Sequence, residues 1–178
     1  MNLFESIVAE AAKRNLRLVV IGGMAVIEHG YARTTTDVDI LVQVTDKDAW
    51  NELFESLGYR LNHDGGSFRQ YLSREGTSWP VDLMLVNEAS FQGMATAAKS
   101  VILEGAQMQL VSLEHLLALK LHALKHTRIQ RFFKDFDDVI HLVSIHKMDL
   151  HSQPIRDLFL KYGNEDLYGK VCRACESQ

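Results

Sequence analysis

Residues 37–42 read Asp-Val-Asp-Ile-Leu-Val, shortly after a glycine pair at Gly22-Gly23, and no other feature of the chain constrains its fold as tightly. In a strand, residues two apart point to the same face. Asp37 and Asp39 therefore project together, while Val38, Ile40 and Val42 face the other way. Two like charges side by side repel and cost stability. A divalent cation makes that arrangement favourable, and hard cations such as magnesium take carboxylate oxygens together with the phosphate oxygens of a substrate. Upstream, residues 16–21 form an apolar strand pattern ended by Gly22-Gly23, and residues 24–29 a short helix stopped by Gly30. Glycine at such a turn permits close approach of backbone N–H groups to phosphate. The same pair is also the mark of a plain turn.

A length of 178 residues suffices for one domain with a real core, or for a domain with a small helical appendage. The formal net charge of −4 argues against a general nucleic-acid coat, which would be basic, and leaves room for a local basic patch. The opening residues lack the basic start of a secretory signal, and Glu5 and Glu10 interrupt their apolar side chains. No apolar run approaches the roughly 18 residues that a membrane helix needs. Only Cys172 and Cys175 occur, which suits a reducing compartment, so the expected location is the cytoplasm.

Hydrophobic spacing predicts an amphipathic helix over residues 3–14 and a second strand over 37–44. Asp46 is placed to cap a helix through Leu57, with Trp50, Leu53, Phe54 and Leu57 on its buried stripe and Gly58 as its stop. Strands follow at 59–63, 68–73 and 79–86, the first two joined by a hairpin at Asp64-Gly65-Gly66. A short helix is expected over 91–98, then short edge strands at 101–103 and 108–111 around Gly105. After Val111 the period becomes helical. Helices are expected from Ser112 to about His126 and over 131–146, with Phe132, Phe133 and Phe136 supplying apolar contacts, then over 154–162 and 165–176. The chain is thus expected to be α+β, with an αβ core over 1–111 and a helical part over 112–178. No linker separates the two, so they are expected to pack as one unit.

A third carboxylate, Asp82, lies in the otherwise apolar run Val81-Asp82-Leu83-Met84-Leu85. Met84 and Val86 share its face, and a carboxylate on such a surface needs a partner. If the strands of Asp37 and Asp82 are neighbours, three carboxylates converge, the arrangement of two-metal phosphoryl transfer.

These residues resemble the nucleotidyltransferase superfamily that shares a polymerase-β-like core. That superfamily carries a Gly-Gly or Gly-Ser turn, then Asp-x-Asp on a strand, then a third carboxylate on a later strand. Here these are Gly22, Gly23, Asp37, Asp39 and Asp82. The run from Arg33 through Thr34, Thr35 and Thr36 to Asp37 is similar to the minimal bacterial branch that includes AbiEii-type toxins. Lys120, then Lys134-Asp135 and Asp138, is similar to the Lys and Lys-Asp signatures of that branch. The resemblance implies a mixed sheet flanked by helices and a transferase that moves a nucleoside monophosphate from an NTP to an acceptor hydroxyl. Asp37 and Asp39 would hold two magnesium ions, with Asp82 beside the acceptor as metal ligand and proton acceptor. Gly22, Gly23, Arg33 and Lys120 would meet the nucleotide, and Lys134 with Asp135 mark a second-half site. Where many members place Ser after the first glycine, this chain has Gly23, so backbone donors must serve. RNA such as tRNA is the favoured acceptor, and a toxin role with a cognate antitoxin follows from the branch. A protein side chain or a small molecule stands beside it as acceptor. A non-catalytic nucleotide- or partner-binding member of the fold is the alternative.

Several features carry two readings. Lys120 falls on the apolar side of its helix, where it meets either a triphosphate or Asp135 and Asp138. Arg33 reaches either phosphate or a nearby acid. Lys125, Arg128 and Arg131, with His122 and His126 interleaved, are either a solvated helix end or a contact for a polynucleotide. His122 and His126 have zinc-ligand spacing, but no third ligand is in view. Cys172 and Cys175 cannot by themselves complete a tetrahedral site, and two incidental cysteines in a frayed helix is the better reading.

Overall fold

The computed structural model describes residues 2–126 and 129–176, the latter with side chains from Phe132 onward. The chain divides into two compact units, Met1–Ala25 with Thr34–Ser112, and Val26–Arg33 with Leu113–Gln178.

The first unit opens with α1 (Leu3–Lys13). Asn2 accepts the Glu5 N–H at 2.9 Å while Glu5 accepts the Asn2 N–H at 3.0 Å, a reciprocal cap that fixes the start of the helix. Phe4, Ile7 and Ala11 are its buried face. The first strand, β1, is only Val19–Val20, shorter than expected. The Leu16 N–H bonds back to Ala11 at 2.9 Å, so the apolar residues before Val19 belong to the exit of the helix. Next comes α2 (Gly22–Glu28), which begins at the glycine pair rather than after it. Gly30, at φ 102°, turns the chain out of that helix.

Six further strands and two helices complete this unit among the described residues. They are β2 (Val38–Gln43), α3 (Lys47–Ser56), β3 (Tyr59–Asp64), β4 (Phe68–Ser73), β5 (Val81–Val86), α4 (Glu88–Ala97) and the hairpin β6 (Lys99–Leu103) and β7 (Ala106–Leu110). Asp46 does not cap α3 with its side chain. A 3-10 turn over Val44–Asp46 leads into the helix instead, and its geometry takes Asp46 out of the extended conformation an N-cap needs. Trp50, Leu53 and Phe54 are buried as expected, whereas Leu57 lies past the helix end and is half-buried.

The strands form one mixed sheet in the order β3-β4-β5-β2-β1-β7-β6. The pairs β2–β5 and β1–β7 are parallel, and the others are antiparallel. The expected hairpin at Asp64-Gly65-Gly66 joins β3 to β4, with Gly66 at φ 82° and its N–H on the Asp64 carboxylate at 3.0 Å. One expectation fails: β7 is not at an edge. It takes β1 as a second partner through Val20 and Leu110, which leaves β6 outermost.

The second unit is helical, with α5 (Leu113–His126), α6 (Ile129–Ile145), α7 (Gln153–Tyr162) and α8 (Glu165–Glu176). Leu117, Leu121, Val139, Leu142, Phe159 and Val171 are among its buried side chains. Phe132 stacks on Phe136 at 5.5 Å, but Phe133 is 71% exposed, since it falls on the outer side of α6. No helix among the described residues is long and apolar enough to cross a membrane.

Candidate active site

The candidate site stands on β2 and β5. These strands pair in parallel with Asp39 directly opposite Asp82, and the Val38 N–H bonds to the Pro80 carbonyl at 3.0 Å, which locks the register where the acids sit. Residues at like positions of paired strands share a face. One oxygen from each of Asp37, Asp39 and Asp82 therefore comes within 4.8 Å of the others. Asp82 is buried, and Asp37 and Asp39 are half-buried. The apolar residues on the opposite face of β2, Val38, Ile40 and Val42, are fully buried and anchor the strand.

The glycine turn is built against these acids. Gly22 sits at φ 61°, and a Cβ there would lie 1.9 Å from the Asp39 carboxylate. Only a residue without a side chain lets the turn approach Asp39 this closely. The Gly23 N–H points at the same carboxylate at 3.3 Å. Gly22→Ala is expected to destabilise the protein by about 1–3 kcal/mol through overpacking and a left-handed backbone. Gly93→Ala, where a Cβ meets nothing within 4 Å, is the control, and melting temperature reads both.

Thr35 was not assigned a role by the sequence. Its hydroxyl donates to the Asp37 carboxylate at 2.8 Å, and the residue is buried. The signal was present, because Thr35 and Asp37 are two apart and an extended chain puts both on one side.

Three hard oxygen donors suit a divalent cation of the magnesium or calcium type. Opposite ligands of a magnesium octahedron stand about 4.2 Å apart. Among the described residues the acid set is the only gathering of three or more such ligands. His122 and His126, whose rings lie 4.7 Å apart on an exposed surface of α5, acquire no third metal-ligating partner among the described residues. Cys172 and Cys175 are free and half-buried, and burial pushes the Cys175 thiol up from its ordinary range.

The remaining predicted residues lie in the helical unit. Arg33 grips Asp138 with two bonds, Nε to Oδ1 at 2.6 Å and Nη2 to Oδ2 at 3.0 Å. Lys120 bonds Asp138 at 2.7 Å and Asp135 at 2.6 Å. Both cations are thus held by acids of α6, and Asp138 is wholly buried. Lys134 and Lys125 are exposed. Arg128 and the side chain of Arg131 lie outside the described residues.

Residues 2–169 match the model of a family described as "Nucleotidyl transferase of unknown function (DUF2204)". No curated protein matches the chain in sequence. Among solved structures, the chain is similar to ANT(2'')-Ia in complex with adenylyl-2''-tobramycin, at 15% identity and a TM-score of 0.65 over 90% of this chain and 94% of that one. It is similar to an antigenic nucleotidyltransferase-like protein from Paracoccidioides brasiliensis, at 18% identity and a TM-score of 0.57 over 98% and 91% of the two chains. It is also similar to the lincosamide antibiotic adenylyltransferase LnuA, lincomycin-bound, at 18% identity and a TM-score of 0.55 over 78% and 93%. At these identities the likeness is one of fold.

Proposed function

The chain belongs to the DUF2204 family of nucleotidyl transferases, and on that premise we propose that Asp37, Asp39 and Asp82 are the metal-binding and catalytic set of a magnesium-dependent nucleotidyl transfer. The observation that carries the reading is the convergence of the three carboxylates within 4.8 Å on paired strands. Asp37, Asp39 and Asp82 would hold magnesium there, which would supply charge neutralisation for the triphosphate.

The protein's own residues then divide the work. Asp37 and Asp39 hold the ions, and Thr35 fixes the Asp37 carboxylate through its hydroxyl. Asp82 stands on the acceptor side and takes the hydroxyl proton. The acceptor oxygen forms its bond to the α-phosphorus of the NTP, the bond to the bridging oxygen breaks, and pyrophosphate leaves. The gain comes mainly from positioning and pre-set charge. Gly22 and Gly23 bring the turn up against Asp39, and in this reading their backbone N–H groups are the donors that meet phosphate. In this reading Arg33 and Lys120 meet the nucleotide with donors not spent on Asp138 and Asp135. Lys134 and Asp135 complete the second-half site in this reading. Residues 1–111 carry the transferase core and residues 112–178 the helical part.

The favoured acceptor is an RNA hydroxyl, such as that of tRNA. The Lys and Lys-Asp pattern of the second half supports an AbiEii-like branch, and with it a cytoplasmic toxin paired with an antitoxin. One fold neighbour is described with adenylyl-2''-tobramycin, an adenylylated sugar, so a small hydroxylated acceptor is the comparison arm.

The test is a transfer assay. Purified protein is incubated with magnesium and each α-labelled NTP in turn, with tRNA in one arm and an aminoglycoside in the other. Label is expected in the RNA, with loss of all transfer on removing magnesium with chelator. Label in neither arm, together with no melting shift on adding magnesium and nucleotide, would defeat the reading, because a ligand bound only by the folded state must stabilise it.

A further inference from the structure

The face of the sheet that carries the acids continues past Asp82. Asp39 stands opposite Asp82 across β2–β5, Asp82 opposite Gln70 across β4–β5, and Gln70 opposite His63 on the edge strand β3. Opposed residues share a face. These four side chains therefore form one polar row, which reaches the sheet edge at ~10 Å from β5 given a strand spacing of about 4.8 Å.

The two faces of this half-sheet are finished differently. On the far face Tyr59, Arg69, Tyr71 and Leu83 are buried, with the Tyr71 ring stacked on Phe54 of α3 at 4.8 Å. On the face of the row, Phe68, Gln70 and Met84 are half-buried, and Arg60 and His63 are exposed. Asp64, the nearest acid on β3, stands opposite Arg69 and pairs with it at 2.9 Å, so it serves the far face.

The row is also held in shape. The β3–β4 register shifts between Leu61 and His63, and Asn62 Nδ2 donates to Gln70 Oε1 at 2.8 Å. A bulge of this kind re-aims side chains. With its oxygen engaged, the Gln70 amide keeps its N–H pair as donors. The His63 ring lies 6.2 Å from the Phe68 ring. Charge on an edge strand is ordinary protection against unwanted pairing. That need does not account for an amide fixed by a bulge directly across from a carboxylate of the site.

We infer that this row is the acceptor subsite of the same centre, and that it takes the single-stranded end of a nucleic acid. A base lies against Phe68 and His63, its edge meets the Gln70 and Asn62 amides, and a phosphate meets Arg60. Aromatic surface, amide donors and one cation are the chemistry that recognises unpaired bases and their backbone. A polycationic sugar would gain nothing from Arg60. The assignment of the row as an acceptor subsite rests on the nucleotidyl-transfer reading, whereas binding of the strand can be measured without it.

The experiment is a titration of the full chain with a fluorescently labelled single-stranded RNA oligomer, without nucleotide, beside Arg60→Ala/His63→Ala and Gln70→Ala. Both variants are expected to weaken binding at least ten-fold while keeping the melting temperature and the shift given by magnesium and ATP. The double variant should also lower the salt slope of binding by about 0.7, since one phosphate contact with a single strand is lost. Failure of the unaltered chain to bind the oligomer overturns the inference. So does equal binding by the variants, or label entering only a small-molecule acceptor with a KM the variants leave alone. Absence of the magnesium–ATP shift in the unaltered chain sinks the transfer reading alone, and the titration still decides this one.

Discussion

Asp39→Asn should lower kcat/KM for nucleotidyl transfer by on the order of 10³-fold or more, while the metal-free protein melts no lower than before. Asparagine keeps the shape of the side chain and removes one of three negative charges gathered within 4.8 Å. Like charges at that range oppose the folded state, so their relief favours stability. The same change takes away an anionic ligand from the ions that would neutralise the transition state, a loss on the scale of removing a key electrostatic stabiliser or worse. Activity and stability therefore move in opposite directions, the pattern of a site whose strain serves function. Stabilisation by magnesium should shrink in the same variant. Asp37→Asn should behave likewise, since the amide oxygen can still accept from the Thr35 hydroxyl while the charge is lost. A fall in melting temperature with full activity would mean that the carboxylates only hold the fold.

The largest effect on stability should come from Asp138→Ala. Asp138 is wholly buried and accepts two bonds from Arg33 and one from Lys120. Its removal leaves the half-buried Arg33 guanidinium without that carboxylate and Lys120 with Asp135 alone. Breaking one partner of a buried ion cluster costs about 3–5 kcal/mol, because the remaining charge is stranded in a poor solvent. For a chain of this size each kcal/mol moves the melting temperature by about 2–4 °C. Denaturant titration should show the loss, and Lys134→Ala on the exposed side of the same helix should stay within about 0.5 kcal/mol. A cost of Asp138→Ala no greater than that of Lys134→Ala would show that the cluster is solvated and weak.

Lys120 illustrates where reading the chain ran out. Its place on the apolar side of α5 announced a partner but left phosphate and carboxylate equally open, and the structure gives it Asp135 and Asp138. Arg33 and Asp138 are 105 residues apart in the chain, so no local pattern could pair them. The strand at β7 is a similar case. A short edge strand was expected at 108–111, and its inner position came from the parallel pairing with Val20. Asp46 failed for a local reason, since a 3-10 turn removed the extended geometry that its cap needed.

What the chain alone decided were the properties that act over a few residues. The alternation of Asp37 to Val42 put two acids on one face. The change of period after Val111 separated strands from helices, and Gly22, Gly30, Gly58 and Gly66 marked turns by tolerating positive φ. Backbone sterics and side-chain period are local, and they survive in any tertiary setting. The structure alone decided the strand neighbours and their register: Asp39 beside Asp82, Asp82 beside Gln70, Gln70 beside His63. A shift of one residue in any of these pairs would turn a strand's acids to the other face. The choice among registers is made by burying Val38, Ile40, Val81 and Leu83 together, a cooperative condition that no single segment contains.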